Sequence, residues 1–160
     1  MRILGIDPGT AIVGWAVLET NAHSAIPIAY GHISTSPKHP LSQRLFEISA
    51  DLKAIIEEHR PDEASVEELF FFKNVTTAMA VSHARGVILL TLESLNVRMF
   101  EYTPLQVKQS LTGYGRAEKK QVQVMVKNIL KLPAIPKPDD TADALALAIC
   151  HLHSRRLGTL

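Results

Sequence analysis

Four carboxylates, Asp7, Glu67, Asp140 and Asp143, are placed to do chemistry and not merely to solvate a surface. Asp7 ends the run Ile3-Leu4-Gly5-Ile6 and is followed by Pro8-Gly9-Thr10, so an apolar strand delivers one negative charge to its C-terminal tip. A buried charge is costly unless something compensates it, and a divalent cation is the obvious partner. Glu67 follows the apolar piece Ala64-Ser65-Val66, while Asp140 and Asp143 stand near the start of an Ala/Leu-rich helix. Magnesium takes hard oxygen ligands and keeps waters that a phosphate can displace. Two such ions about 4 Å apart could hold an attacking water and a leaving oxygen on opposite sides of a phosphorus. Without metal, carboxylates gathered so closely would raise one another's pKa values. The pattern points to metal-dependent phosphoryl transfer.

Plainer accounts compete with parts of this set. Asp140 and Asp143 are three apart and share a helical face, and first-turn acids are favoured by the helix dipole alone. Against that, Ala142, Leu145, Ala146, Ile149 and Leu152 continue a broad apolar surface directly below Asp143, so the helix packs closely beside it. Glu67 and Glu68 are adjacent, and strand alternation sends them to opposite faces. Parity along the sequence does not choose between them.

A second group is basic. Lys108, Arg116, Lys119 and Lys120 flank the glycine-interrupted segment Thr112-Gly113-Tyr114-Gly115. Glycines let backbone approach a phosphate and lysines neutralise it; a solvated basic helix start is the alternative. Phe70-Phe71-Phe72 cannot all face one side, and Lys73-Asn74 follows at once. Such a loop could offer a ring to unstacked bases while the other rings pack beneath it.

The whole chain has a formal charge of +1, unevenly divided. Residues 1–72 carry five Lys/Arg against ten Asp/Glu, and residues 73–160 carry twelve against six. That asymmetry suits a phosphate-binding surface on one part of the fold. With 160 residues, 46% apolar and 21% charged, a single domain spanning 1–160 with a substantial core is expected. No run of apolar residues is long enough for a membrane span, and the N-terminal residues lack a secretory pattern, so a cytoplasmic protein is expected. The lone cysteine, Cys150, sits in an apolar helix and reads as a small buried hydrophobe. The seven histidines follow no zinc pattern. His151 and His153 read as polar-edge or helix-terminal residues, and His83 as a packing residue.

These residues need elements to hold them. Strand-like segments near 2–6, 14–18 and 28–34, joined by short turns, favour an antiparallel meander. A helix over 41–60, a strand at 64–67, a long uncharged helix over 75–94 and a strand at 97–101 follow. Helices over 104–110, 118–130 and 140–156 complete the chain. This order predicts an α/β architecture, a mixed sheet with helices on both faces. The helix over 75–94 holds more apolar surface than one side of a monomer's sheet requires, which predicts a two-fold homodimer.

The pieces Gly5-Ile6-Asp7-Pro8-Gly9-Thr10, Val66-Glu67-Glu68-Leu69-Phe70, Lys73-Asn74, Ala84-Arg85-Gly86, Pro104-Leu105-Gln106-Val107-Lys108-Gln109, Gly113-Tyr114-Gly115-Arg116-Ala117-Glu118-Lys119 and Asp140-Thr141-Ala142-Asp143-Ala144-Leu145-Ala146 occur in this order. Together they resemble the RuvC family of bacterial Holliday junction resolvases, from near residue 1 to at least residue 153. The resemblance implies a ribonuclease H-like fold, with a five-stranded sheet in the order 3-2-1-4-5 and strand 2 antiparallel. It implies a homodimer that cuts four-way DNA junctions by paired nicks, leaving 5′-phosphate and 3′-hydroxyl ends, in homologous recombination and repair. Asp7, Glu67, Asp140 and Asp143 become the catalytic metal ligands, which selects Glu67 over Glu68 and Asp140 over Asp139. Two magnesium ions per subunit are implied, with manganese as a substitute. Lys108 and Lys119 become catalytic residues near the cleaved strand. Phe70, as junction wedge, joins Lys73, Lys108, Arg116, Lys119 and Lys120 as DNA contacts. A branch-migration complex of RuvA and RuvB type proteins is the implied partner. Actin-like ATPases share the opening strand and loop but need a second lobe. A ribonuclease H acting on hybrids would lack the long apolar helix and the Phe-rich loop. A pure DNA-binding module would show no metal-dependent cleavage.

Overall fold

A computed structural model describes residues 1–21, 24–68 and 75–158. Three strands open it: β1 (Arg2–Asp7), β2 (Ile12–Thr20) and β3 (Ala25–Ser34). Then come α1 (Leu41–His59), β4 (Glu63–Glu67), α2 (Val75–Ser94) and β5 (Arg98–Tyr102). Three helices close the chain: α3 (Pro104–Thr112), α4 (Lys119–Ile129) and α5 (Asp139–Arg156). The five strands form one sheet in the order β3-β2-β1-β4-β5. β2 is antiparallel to β1 and β3, and β4 is parallel to β1 and β5. This is the architecture the sequence predicts.

Strand alternation divides the core in two. Leu4 and Ile6 of β1, Val13 and Val17 of β2, and Ala64 and Val66 of β4 pack with Ile48 and Leu52 of α1 and Ile88 and Leu92 of α2. Ile3, Ala16 and Leu18 face the other way, against Leu145 and Ile149 of α5, with α3 and α4 adding Val107, Leu111, Val122 and Val126. Helices therefore cover both faces. The odd residues of β1 and β4, including Asp7 and Glu67, point to the α5 side.

α5 touches the sheet without intervening side chains at two points. A Cβ at Gly5 would collide with the carbonyl oxygen of Ala144, and one at Gly14 with that of Asp140. Two glycines beneath one helix permit this approach.

One histidine reading is corrected. His151, expected at a polar edge, is fully buried. It lies between Tyr102 Oη, 2.8 Å from Nδ1, and Glu63 Oε2, 2.8 Å from Nε2. Arg155 pairs with the other oxygen of Glu63. The buried ring is tolerated because both nitrogens have partners. His83 is exposed in the single chain, on the face of α2 that looks away from the sheet. Cys150 is buried as expected, and burial pushes its thiol up to about 11.

Candidate active site

β1 and β4 run parallel with Ile6 opposite Val66, so their last residues, Asp7 and Glu67, end side by side. The turn after Asp7 is tight: a Cβ at Gly9 would collide with the carbonyl oxygen of Ile12. Thr10 Oγ1 donates to the Ala80 carbonyl at 2.6 Å, and Thr35 Oγ1 donates to the Thr10 carbonyl at 2.6 Å, tying the turn to α2 and to the residue that follows β3. On the other strand, the Glu68 N–H donates to the Tyr102 carbonyl at 2.9 Å, and Arg85 Nε donates to the Glu67 carbonyl at 3.3 Å. Both carboxylate-bearing tips are thus held by hydrogen bonds to backbone carbonyls.

The third and fourth carboxylates come from the start of α5. Gly14 pairs with Asp7 across β1 and β2 and lies beneath Asp140. Thr141 Oγ1 donates to the Gly31 carbonyl at 3.1 Å, fixing the helix start over β3 and β2. Asp143, one turn on, faces the ends of β1 and β4.

Two lysines complete the centre. Lys119, in the first turn of α4, places Nζ 2.7 Å from Asp143 Oδ2. A capping box of Glu118 and Gln121 sets that turn. Lys108 projects from α3, whose start is fixed by a second capping box, Thr103 with Gln106. Glu67, Lys108, Lys119 and Asp143 line one recess of about 210 Å³, floored by Val107, Val122, Ala146 and Leu147.

Electrostatics show that these groups feel one another. Burial, then the charges of Glu67, Asp143 and Asp140, raise Asp7 from 3.8 to about 8, with Lys119 opposing. Burial and Asp143 raise Glu67 to about 6, against Lys119 and Lys108. Burial likewise raises Asp143, offset in part by its bond to Lys119. Burial would lower Lys119, but the bond to Asp143 and the fields of Asp143, Asp139 and Asp7 hold it above its ordinary value. Near neutral pH the set is under strong pressure to acquire positive charge.

The donor set suits a hard divalent ion: carboxylates only, one of them too buried to stay ionised alone. Asp7, Glu67, Asp140 and Asp143 would hold it. Among the described residues, no three acidic, histidine or cysteine side chains already stand close enough to chelate an ion. The cation that touches the set is Lys119.

Of the basic residues read from sequence, Lys108 and Lys119 reach this centre. Arg116 and Lys120 do not line the recess; both are exposed, and Lys120 borders a neighbouring groove with Tyr114. Phe70 and Lys73 lie outside the described residues. Three contributors escaped sequence reasoning. Gly5 and Gly14 allow the close approach of α5, and a glycine inside a strand is the signal that could have found them. Asp139, passed over in favour of Asp140, accepts from Lys137 Nζ at 2.8 Å and lies 3.8 Å from Lys119 Nζ.

The model of a family described as crossover junction endodeoxyribonuclease RuvC matches residues 3–151. The RuvC of Ruminiclostridium cellulolyticum is 54% identical over 160 residues, covering 100% of this chain and 96% of that one. That of Desulforamulus reducens is 56% identical over 151 residues, 94% of this chain and 93% of the relative. Among solved structures, Thermus thermophilus RuvC in complex with Holliday junction substrate aligns with a TM-score of 0.94 at 37% identity, covering 99% of this chain and 97% of that one. The chain belongs to the RuvC family of crossover junction endodeoxyribonucleases.

Proposed function

We propose that this protein resolves four-way (Holliday) DNA junctions by hydrolysing two phosphodiester bonds symmetrically across the junction, in recombination and repair. The observation that carries this reading is the meeting of Asp7, Glu67, Asp140 and Asp143 with Lys108 and Lys119 at one end of the sheet. The family's relatives are named for this reaction, and one was solved with its junction substrate.

The cofactor we infer is magnesium, two ions per subunit, with manganese able to replace it. Bound there, it would activate the attacking water and neutralise charge on the phosphate oxygens. The protein's own groups do the rest. The four carboxylates would be its ligands. The closely packed α5 fixes Asp140 and Asp143 against Asp7, so little reorganisation is needed when charge develops. Lys119 and Lys108, at the mouth of the recess, face the transferring phosphoryl group and favour its negative charge. Attack of water on phosphorus with departure of the 3′-oxygen leaves 5′-phosphate and 3′-hydroxyl ends.

Junction arms would be held by sequence-independent phosphate contacts from Lys120, Arg116 and Lys73, with Phe70 as a wedge at the crossover. Paired cutting requires two sites, and α2 offers the surface for a homodimer. Met79 is 59% and Leu90 69% exposed on it, and mid-helix Gly86 has nothing within 4 Å of where a Cβ would stand. Glycine inside a helix costs about 1 kcal/mol relative to alanine, a cost with a purpose if a second α2 packs there. No helix among the described residues is long and apolar enough to cross a membrane. We place the enzyme in the cytoplasm, working with a branch-migration complex of RuvA and RuvB type.

The test is Asp7→Asn on a synthetic four-way junction with magnesium. It should abolish cleavage and leave junction binding intact, while Glu68→Gln, on the opposite strand face, should retain most activity. Appreciable cutting by Asp7→Asn, or loss in Glu68→Gln alone, would refute the carboxylate assignment.

A further inference from the structure

Lys119 turns inward to the carboxylates from the first turn of α4. Its Nζ is 2.7 Å from Asp143 Oδ2 and 3.8 Å from Asp139 Oδ2. Asp143 is the more sheltered of the two, its side chain 29% exposed against 44% for Asp139. Asp139 is also held in place from the far side by Lys137. The first turn of α5 therefore offers this ammonium two seats, one within the centre and one at its rim. The ammonium engages one oxygen of Asp143, Oδ2, and a divalent ion brought to the same carboxylate would repel it.

We propose that the Lys119 ammonium is the resident cation of the metal-free centre, and that a divalent ion entering among the carboxylates transfers it from Asp143 to Asp139. The inference rests on the metal-dependent reading above. Lys119 then has two successive tasks. Before metal arrives it neutralises part of the carboxylate repulsion. After metal arrives it stands at the rim, beside Asp139. Asp139 acts through Lys119 as a positioning residue and touches neither metal nor substrate.

Calorimetric titration of the full-length, DNA-free protein with magnesium alone tests this. Lys119→Gln should bind magnesium about fivefold more tightly than the wild type, the effect of removing one partly exposed ion pair as competitor. Lys108→Gln controls for simple loss of positive field. Lys108 lines the same recess but forms no ion pair with a carboxylate among the described residues, and its removal should give a clearly smaller gain. Asp139→Asn should weaken magnesium binding in the wild type, where the displaced ammonium loses its seat, and have no such effect in the Lys119→Gln background. Equal gains from Lys119→Gln and Lys108→Gln, or an Asp139→Asn effect that is the same in both backgrounds, overturn the handover. Asp7→Asn separates the two levels of argument. If it binds magnesium as the wild type does, the metal-site reading itself fails; if it loses binding while the lysine variants behave alike, only the handover does.

Discussion

The backbone of Asp140 rests directly on Gly14, the residue that pairs with Asp7 across the first two strands. Distance between two of the metal-ligand candidates is thereby set by the absence of a side chain. Gly14→Ala should push the start of α5 off the sheet, costing about 1–3 kcal/mol of stability through overpacking. Magnesium affinity should fall more than stability alone explains, because Asp140 and Asp143 move together. Denaturant titration and calorimetry on the same variant check this; a destabilised protein with unchanged magnesium affinity would show that the contact has no part in the site.

Asp7 should make the metal-free fold less stable as pH rises. Its folded pKa is raised from 3.8 to about 8 by burial and neighbouring carboxylates. Between these values the folded chain binds a proton that the unfolded chain has released, so stability falls across that window. Glu67, raised to about 6, adds to the fall at its lower end. Asp7→Asn removes the main term and should exceed the wild type in stability by on the order of a few kcal/mol at pH 8, and by little near pH 4. Magnesium should raise the melting temperature of the wild type and leave that of Asp7→Asn nearly unchanged. Asp7→Asn proving less stable than the wild type at pH 8 would contradict this account.

Leu90→Glu addresses assembly. The side chain is exposed, so a carboxylate there should leave the fold of each subunit intact. Across a two-fold axis it would set two like charges in an apolar interface. Sedimentation should show monomers, and cleavage should turn from paired nicks to single uncoordinated ones. A dimer unaffected by this change places the interface elsewhere.

The cluster Tyr102–His151–Glu63–Arg155 anchors the C-terminal half of α5 to β4 and β5. Burial holds His151 below its ordinary value, so it stays neutral in the fold and must be charged on unfolding in acid. Burial would raise Glu63, but its bonds to His151 and Arg155 prevail and lower it. Both shifts make the folded state bind fewer protons than the unfolded chain. Stability from this cluster is present at neutral pH and is lost as pH falls below 6.5 for His151 and below 4.5 for Glu63. Glu63→Gln should cost about 1–3 kcal/mol at pH 7 and flatten the acid limb of the stability profile. An acid limb as steep as that of the wild type would assign it to other groups.

Much of this molecule was legible before any coordinate. An apolar run ended by Pro8-Gly9, and strand-like and helical segments joined by short turns, are local features, so the elements and the mixed sheet followed from them. Asp7 at a strand tip, and Asp140 with Asp143 on one helical face, are statements about neighbours in sequence. The choice between Glu67 and Glu68 was different. Alternation puts them on opposite faces, but which face carries α5 is settled only when Ala64 and Val66 pack against α1 and α2. His151 looked like a helix-end residue because its partners, Tyr102 and Glu63, lie 49 and 88 residues away in sequence. Asp139 likewise differs from Asp140 through Lys119, on another helix. Local periodicity sets which way a side chain points relative to its own element. What it meets there depends on where distant elements dock, and that was decided by two glycines under α5 and the burial they permit.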